Sequence, residues 1–284
     1  MSKLQDLGQQ KNDLAVIANL TSAFEGLASM RIAQIKNQVQ QAQQFFDSLW
    51  QIYSQIRVDT LFRYGRQNEQ QVIDKELIIA ITAEGGFSGD IDQKLIAWML
   101  KSYDPNKQDI IIIGHHGAIR LTQSGVAFKK YFKLPTKDQN VNVAPLVKYV
   151  RNYRTTTIYY QTYVSLMVQD IKKIELLKAV QDAGKQAKAD ESIISDQTYI
   201  FEPSTYAVVA HLESSMMEIA LSQKILESKL AQYASRFRSM SGAKEKASES
   251  ERLLRFTYSR TKRAIADERI KEVMNGLRPG MILT

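Results

Sequence analysis

With 284 residues and 44% hydrophobic content, the chain can bury one sizeable core or two modest ones, and its net charge of +8 favours an acidic partner such as nucleic acid, an anionic membrane or acidic protein loops. The absence of cysteine excludes disulfides and cysteine-ligated metals and fits a reducing interior. No run approaches the roughly 18 apolar residues of a membrane span, and MSKLQDLGQQKNDL lacks a signal-type apolar core, so a soluble, basic, intracellular protein is expected.

From Leu4 to about Tyr64 there is no proline, and the only glycines are Gly8 and Gly26. Leu7, Leu14, Thr21, Ala28, Ile35, Ala42, Leu49 and Ile56 recur every seventh residue. Companion apolar positions lie three residues later at first (Ile17, Phe24) and then four residues later (Ile32, Val39, Phe46, Tyr53). Such a shift is the drift expected when a helix of 3.6 residues per turn follows a seven-residue repeat.

The middle of the chain alternates strand and helix patterns. Leu77 to Thr82 is an apolar strand ended by a glycine-rich turn, and Asp90 to Tyr103 reads as a helix with Ile91, Leu95, Trp98 and Met99 on one face. Asp109 to Gly114 is a second buried strand, followed by a helical segment through Phe128. Pro145 opens a short helix, and Thr155 to Leu177, rich in Thr, Tyr, Ile and Val, reads as one or two strands. This alternation predicts a parallel sheet covered by helices, a small Rossmann-like domain. Asp182 to Ser192 is polar and reads as a loop or disordered segment.

From Thr205 to Gly276 no proline appears and Gly242 is the only internal glycine. Leu212, Ile219, Leu226, Tyr233, Met240, Ala247 and Leu254 recur every seventh residue, with Met216, Leu230 and Phe237 four residues further on and breaks at Gln223 and Lys244. A heptad seam of this kind faces a partner helix, and at 1.5 Å per residue the helix would run to roughly 100 Å. The two end helices are therefore expected to pair, antiparallel, with the α/β domain between them. The competing arrangement packs each helix separately on a globular core. The expected division is 1–65 for the first coiled-coil helix, 72–180 for the α/β domain, 181–204 for a linker and 205–284 for the second coiled-coil helix.

Candidate chemistry is sparse. The turn Glu84-Gly85-Gly86-Phe87-Ser88-Gly89 sits where a doubly wound sheet would bind phosphate, yet it has neither dinucleotide spacing nor a Gly-Lys-Ser/Thr ending, and Glu84 would repel phosphate. A tight strand-to-helix turn needing glycine dihedrals is the favoured reading. His115, His116 and His211 bring no third ligand at metal spacing. Glu84, Asp90 and Asp92 cluster near one turn as candidates for a hard cation or acid–base pair, with Asp90 favoured as the cap of the following helix. The basic residues Arg252, Arg255, Arg260, Lys262 and Arg263, flanked by Glu249, Glu251, Asp267 and Glu268, read as a solvated helix surface or a contact for acidic protein loops. Nucleic acid ranks third, because exposed aromatics do not interleave with the charges.

Four separated stretches carry a family resemblance. Leu20-Thr21-Ser22-Ala23-Phe24-Glu25-Gly26-Leu27-Ala28-Ser29-Met30-Arg31 follows Ile-Thr-Lys-Ala-Met-x-Met-Val-Ala-x-x-Lys, and Thr82 to Gly89 follows Thr-Ser-Asp-Arg-Gly-Leu-Cys-Gly without a gap. Tyr199-Ile200-Phe201-Glu202-Pro203-Ser204 is similar to Tyr-x-Phe-Glu-Pro-Ser, and Arg236 to Ala243 to Arg-Met-x-Ala-Met-x-x-Ala. The chain resembles the γ subunit of rotary F-type ATP synthases, whose two end helices wind into a coiled coil with a Rossmann-like domain between them. It departs from the family where Tyr-Asn-x-x-Arg-Gln is replaced by Tyr258-Ser259-Arg260-Thr261-Lys262-Arg263, and where the usual amino-terminal Arg-Arg-Ile is replaced by Gln9-Gln10-Lys11.

The resemblance implies a non-catalytic shaft, one copy per complex, inside a ring of α and β subunits. It further implies the ε subunit and the membrane c-ring as partners, no nucleic acid, no cofactor and a peripheral position on the cytoplasmic face of the membrane. Phe24, Arg252, Arg255, Arg260, Lys262 and Arg263 are the expected contacts with β-subunit loops. Met281, Ile282 and Leu283 form an expected bearing tip, and Glu84, Gly85, Gly86, Phe87, Ser88 and Gly89 a foot turn near ε and the c-ring. Two alternatives remain open here: a γ-like shaft adapted to another motor, and a free-standing coiled-coil adaptor with a Rossmann-like head.

Overall fold

The structure, a computed structural model, describes residues 2–55, 73–134, 141–176, 178, 200 and 202–277. Ile56, the 182–192 loop, Tyr199, Phe201 and the tip residues Met281, Ile282 and Leu283 lie outside the described residues. Two helices end the described chain, α1 (Ser2–Gln55) and α5 (Thr205–Leu277). Between them run β1 (Ile73–Ile81), α2 (Ile91–Leu100), β2 (Gln108–Ile113), α3 (His115–Gln123), β3 (Lys130–Phe132), α4 (Ala144–Val150), β4 (Tyr153–Tyr163) and β5 (Gln169–Glu175). The chain divides into two compact units, one of residues 28–237 and one of residues 1–27 with 238–284.

In the larger unit the five strands form one sheet in the order β3-β2-β1-β4-β5. The first four are parallel and β5 runs antiparallel to β4. Both faces of β1 are covered, which explains its unbroken apolar run. Ile78 and Ala80 face α2 and α3 through Leu95, Ile96, Met99 and Leu121. Leu77, Ile79 and Ile81 face the opposite way, into a core built with Leu146 and Val150 of α4, Phe46 of α1, and Met216, Leu221 and Ile225 of α5. β3 went unread in the sequence because it is only three residues long at an edge.

Within this unit α1 and α5 pair antiparallel. Tyr53 donates to Glu213 at 3.2 Å, Gln223 donates to Gln43 at 3.1 Å, and Ile35 packs on Leu226 and Leu230, so numbers rise on one helix as they fall on the other. The break at Gln223 is thus filled by a polar partner across the seam. In the smaller unit the break at Lys244 is filled likewise, by an ion pair with Glu25 at 2.9 Å. Both pairs are at least partly open to solvent, so they match the polar breaks across the two helices without burying a lone polar group.

The drift expected on α1 does not occur. In the smaller unit the half-buried companions Lys11, Ala18 and Glu25 lie four residues after the heptad positions Leu7, Leu14 and Thr21, with Leu4 three residues before the first, while Ile17 and Phe24 are exposed. Lys11 lies 5.7 Å from the centre of the Tyr258 ring, and a Cβ on Gly8 would touch the same ring at 3.5 Å. Here leucines of the seam (Leu4, Leu7, Leu14) are interspersed with polar or small residues (Lys11, Ala18, Thr21, Glu25). Val16, Ile17, Leu20, Phe24 and Leu27 form a second, outward apolar stripe instead.

The Lys244 hydrogen bond holds the Glu25 carboxyl below its ordinary range, against the opposing effect of burial. A depressed folded value gives stability that is present above the unfolded glutamate pKa and lost as pH falls through the folded one. Acid titration of the full chain followed by circular dichroism is expected to show this loss, and Lys244→Met to flatten it.

Candidate functional site

The carboxyl ends of β1 and β4 form the switch point where doubly wound sheets place ligands, since β1 leads to β2 on one side and the chain returns to β4 on the other. In this chain polar side chains of α5 reach into that crevice. Asp92, in the first turn of α2, is 4% exposed and collects bonds from four directions. It accepts from the Ala83 N–H at 3.2 and 3.3 Å and from Gln161 Nε2 at 2.7 Å. Ser88 Oγ lies 3.5 Å away, and His116 Nδ1 stands 3.1 Å from Oδ2.

Gln161, fully buried on β4, carries the network onward to α5: its carbonyl accepts from Ser228 Oγ and, at 3.3 Å, from Gln232 Nε2. Ser235 donates to the Ser88 carbonyl at 2.7 Å. Arg236 reaches the Gly86 and Gly85 carbonyls at 3.0 and 3.1 Å while its guanidinium lies 5.2 Å from the centre of the Tyr233 ring. A cleft of about 230 Å³ opens beside it, lined by Glu84, Leu134, Lys229 and Gln232 among others.

Several sequence expectations are corrected. Asp90 stands at the N-cap of α2 without a side-chain capping bond, and its carboxylate instead pairs with Lys94 at 2.8 Å. Glu84, Asp90 and Asp92 do not converge: Glu84 turns away to accept from Tyr131 at 2.9 Å and from the Leu134 N–H at 3.1 Å. The left-handed positions of the turn are Phe87 and Gly89, both at φ 68°, rather than Gly85 or Gly86. Phe87 is also exposed.

His116 does find a carboxylate, 24 residues away in sequence, because parallel β1 and β2 deliver the starts of α2 and α3 to the same edge. Gln161 was missed altogether. Its signal was a lone amide within an apolar strand, matched by Ser228, Gln232 and Ser235 at i, i+4 and i+7 on α5.

In the smaller unit Arg252, Arg255, Arg260, Lys262 and Arg263 are all exposed, beside the seam positions Glu251, Leu254, Tyr258 and Thr261. Arg260 and Arg263 border a shallow hollow with Phe256 and Asp267. Phe24 is 39% exposed. Among the described residues no cluster of three His, Cys, Asp or Glu is placed to hold a metal ion, and no helix is long and apolar enough to cross a membrane.

Comparison with known proteins gives a consistent assignment. Residues 3–278 match a family model described as ATP synthase. The ATP synthase gamma chain of Cytophaga hutchinsonii is 21% identical, covering 96% of this chain and 98% of the relative. That of Chlorobium phaeobacteroides is 22% identical, covering 97% and 98%. Among solved structures, a chain of the Euglena gracilis mitochondrial ATP synthase, in a map of its OSCP, F1 and c-ring, superposes with a TM-score of 0.63 at 15% identity, covering 99% of this chain and 97% of that one. A chain of the rotor from the same organism superposes with a TM-score of 0.58 at 16% identity, covering 92% and 99%. With the family model spanning nearly all of its length and the end helices paired against one face of an α/β sheet, the chain belongs to the ATP synthase family, as a γ subunit.

Proposed function

We propose that this chain is the turning shaft of its complex and carries no catalytic group itself. Its partners in this reading are the α and β subunits around the shaft, with ε and the membrane c-ring at the α/β domain, where the Glu84 to Gly89 turn is the foot. Residues 1–65 and 205–284 serve as the shaft, 72–180 as the α/β domain and 181–204 as linker. Met281, Ile282 and Leu283 end the shaft as its bearing.

The supporting observation is the antiparallel pairing of α1 with α5 through the polar pairs Gln43–Gln223 and Glu25–Lys244. A shaft must hold its two helices in one register under load, and Ile35 buried on Leu226 and Leu230, with the polar breaks matched on either side of it, favours a single register. Contact with chemically identical β subunits then differs around the asymmetric shaft and biases each toward a different nucleotide affinity, an effect exchanged as the shaft turns.

Phe24, Arg252, Arg255, Arg260, Lys262 and Arg263 are the residues this reading places against β loops. Rim charges of this kind contribute about 1 kcal/mol or less each, which suits contacts that re-form at every step. Replacing both Arg252 and Arg255 by Glu is expected to lower torque and ATPase rate of the assembled complex about threefold to tenfold. Unchanged torque and rate would remove the cluster from coupling.

A further inference from the structure

Apolar burial holds the sheet against α5, but it is non-directional and resists separation better than shear. Hydrogen bonds are directional, and a buried network with every member satisfied fixes one relative orientation of the elements it joins. The network centred on Asp92 and Gln161 carries such bonds from sheet to helix in the larger unit, beside the neighbouring Thr162–Glu227 bond between β4 and α5. It ties the turn after β1 (Ala83, Ser88), α2 (Asp92) and β4 (Gln161) to Ser228, Gln232 and Ser235 of α5. Gln161 and Ser228 are wholly buried, so water does not compete for these bonds. At the half-buried rim Arg236 clasps two consecutive backbone carbonyls of the same turn, adding a bidentate contact that no rotation of α5 against the turn preserves.

Resting on the shaft reading above, we infer that the Asp92–Gln161–Ser228–Gln232 network, with the Arg236 clasp, is the torsional joint through which load on the α/β domain passes to α5. The residues act as positioning groups. They hold the angle between sheet and shaft while the domain is pulled sideways. A polar joint also explains why a crevice of ligand-binding topology is closed by serine and glutamine from the helix: the ligand of this sheet edge is the shaft.

The test is single-molecule rotation of the complex assembled with α and β subunits, with the probe attached to the α/β domain. Because the chain has no cysteine, Lys107→Cys, at a side chain 83% exposed, gives a single attachment point on it. Gln161→Leu keeps the volume and removes the bonds, Ser228→Ala with Gln232→Leu removes them from the helix side, and Arg236→Ala opens the rim without touching the buried core. Each is expected to lower the torsional stiffness read by the probe about threefold or more, with hydrolysis by the unloaded complex little changed. Lys129→Met serves as control: it breaks the Asp109–Tyr153–Lys129 cluster, which makes no bond to α5, and is expected to leave stiffness unaltered.

Wild-type stiffness in Arg236→Ala and in whichever buried variant assembles overturns the joint while leaving the shaft reading intact. An equal loss in Lys129→Met also overturns it, by showing that general softening suffices. Failure of the wild-type complex to rotate any probe overturns the shaft reading and the joint with it.

Discussion

Replacing Gly114 with alanine is expected to destabilise the α/β domain by about 3–5 kcal/mol. Gly114 sits between β2 and α3 at φ 96°, and a Cβ there would stand 2.0 Å from the backbone oxygen of Thr82. Neither strand can retreat, since the Thr82 N–H donates to the Ile113 carbonyl at 2.8 Å and Thr82 Oγ1 donates to the same oxygen at 2.9 Å. The conformation and the space both forbid a side chain. Urea unfolding of the full chain checks this through Trp98, which is 37% exposed on α2 and packs edge-on against Tyr159 of β4, so its signal reports on the domain. A midpoint equal to wild type would mean that the β2–α3 junction has room that the geometry denies.

The second large effect concerns the helix pair. Ile35 is fully buried against Leu226 and Leu230, so Ile35→Asp places an unpaired carboxylate in the seam. The expected cost is about 3–5 kcal/mol. Ile17→Asp, by contrast, changes a side chain 47% exposed and should cost less than about 0.5 kcal/mol in the isolated chain. Trp50, stacked near Phe46 and Tyr53 on α1, provides the signal for the first variant, and helical ellipticity serves for the second. The contrast matters because both residues look alike in sequence. Should Ile17→Asp prove as damaging as Ile35→Asp, the amino-terminal seam would run along the face assigned here to the outside.

That contrast also marks how far the sequence could be read. The heptads of α5 were legible because their residues are apolar over most of the helix and the two breaks, Gln223 and Lys244, are isolated. On α1 before Ala28 the seven-residue positions Leu7, Leu14 and Thr21 do face inward, but the companions were misread, since the seam uses Lys11, Ala18 and Glu25 while a brighter apolar stripe with Ile17 and Phe24 faces outward. Periodicity finds apolar faces and cannot say which of two such faces meets the partner helix. The outward stripe leaves Leu20 and Leu27 54% and 51% exposed, which is why an apolar pattern alone pointed to the wrong face.

The sheet was readable from its unbroken isoleucine runs, and its short edge strand was not. The Asp92 network escaped for a different reason. Its links across the fold span 69 residues from Asp92 to Gln161 and 67 from Gln161 to Ser228, and no local pattern relates them. Local rules also chose the wrong carboxylate at the turn. Asp90 has the position of a cap, but the parallel arrangement of β1, β2 and β4 brings the amide, imidazole and backbone donors to Asp92, two residues on. Only the fold decides between them.

The claim on which the account rests is that the chain ends wind into one axle that turns within a ring of α and β subunits. Isolation of the tagged chain from its native membranes, followed by single-particle imaging of the complex it brings with it, tests this most directly. One copy of the chain per particle is expected, its paired end helices enclosed by alternating α and β subunits. Recovery of the chain without those subunits, or with its end helices apart within the particle, would contradict it.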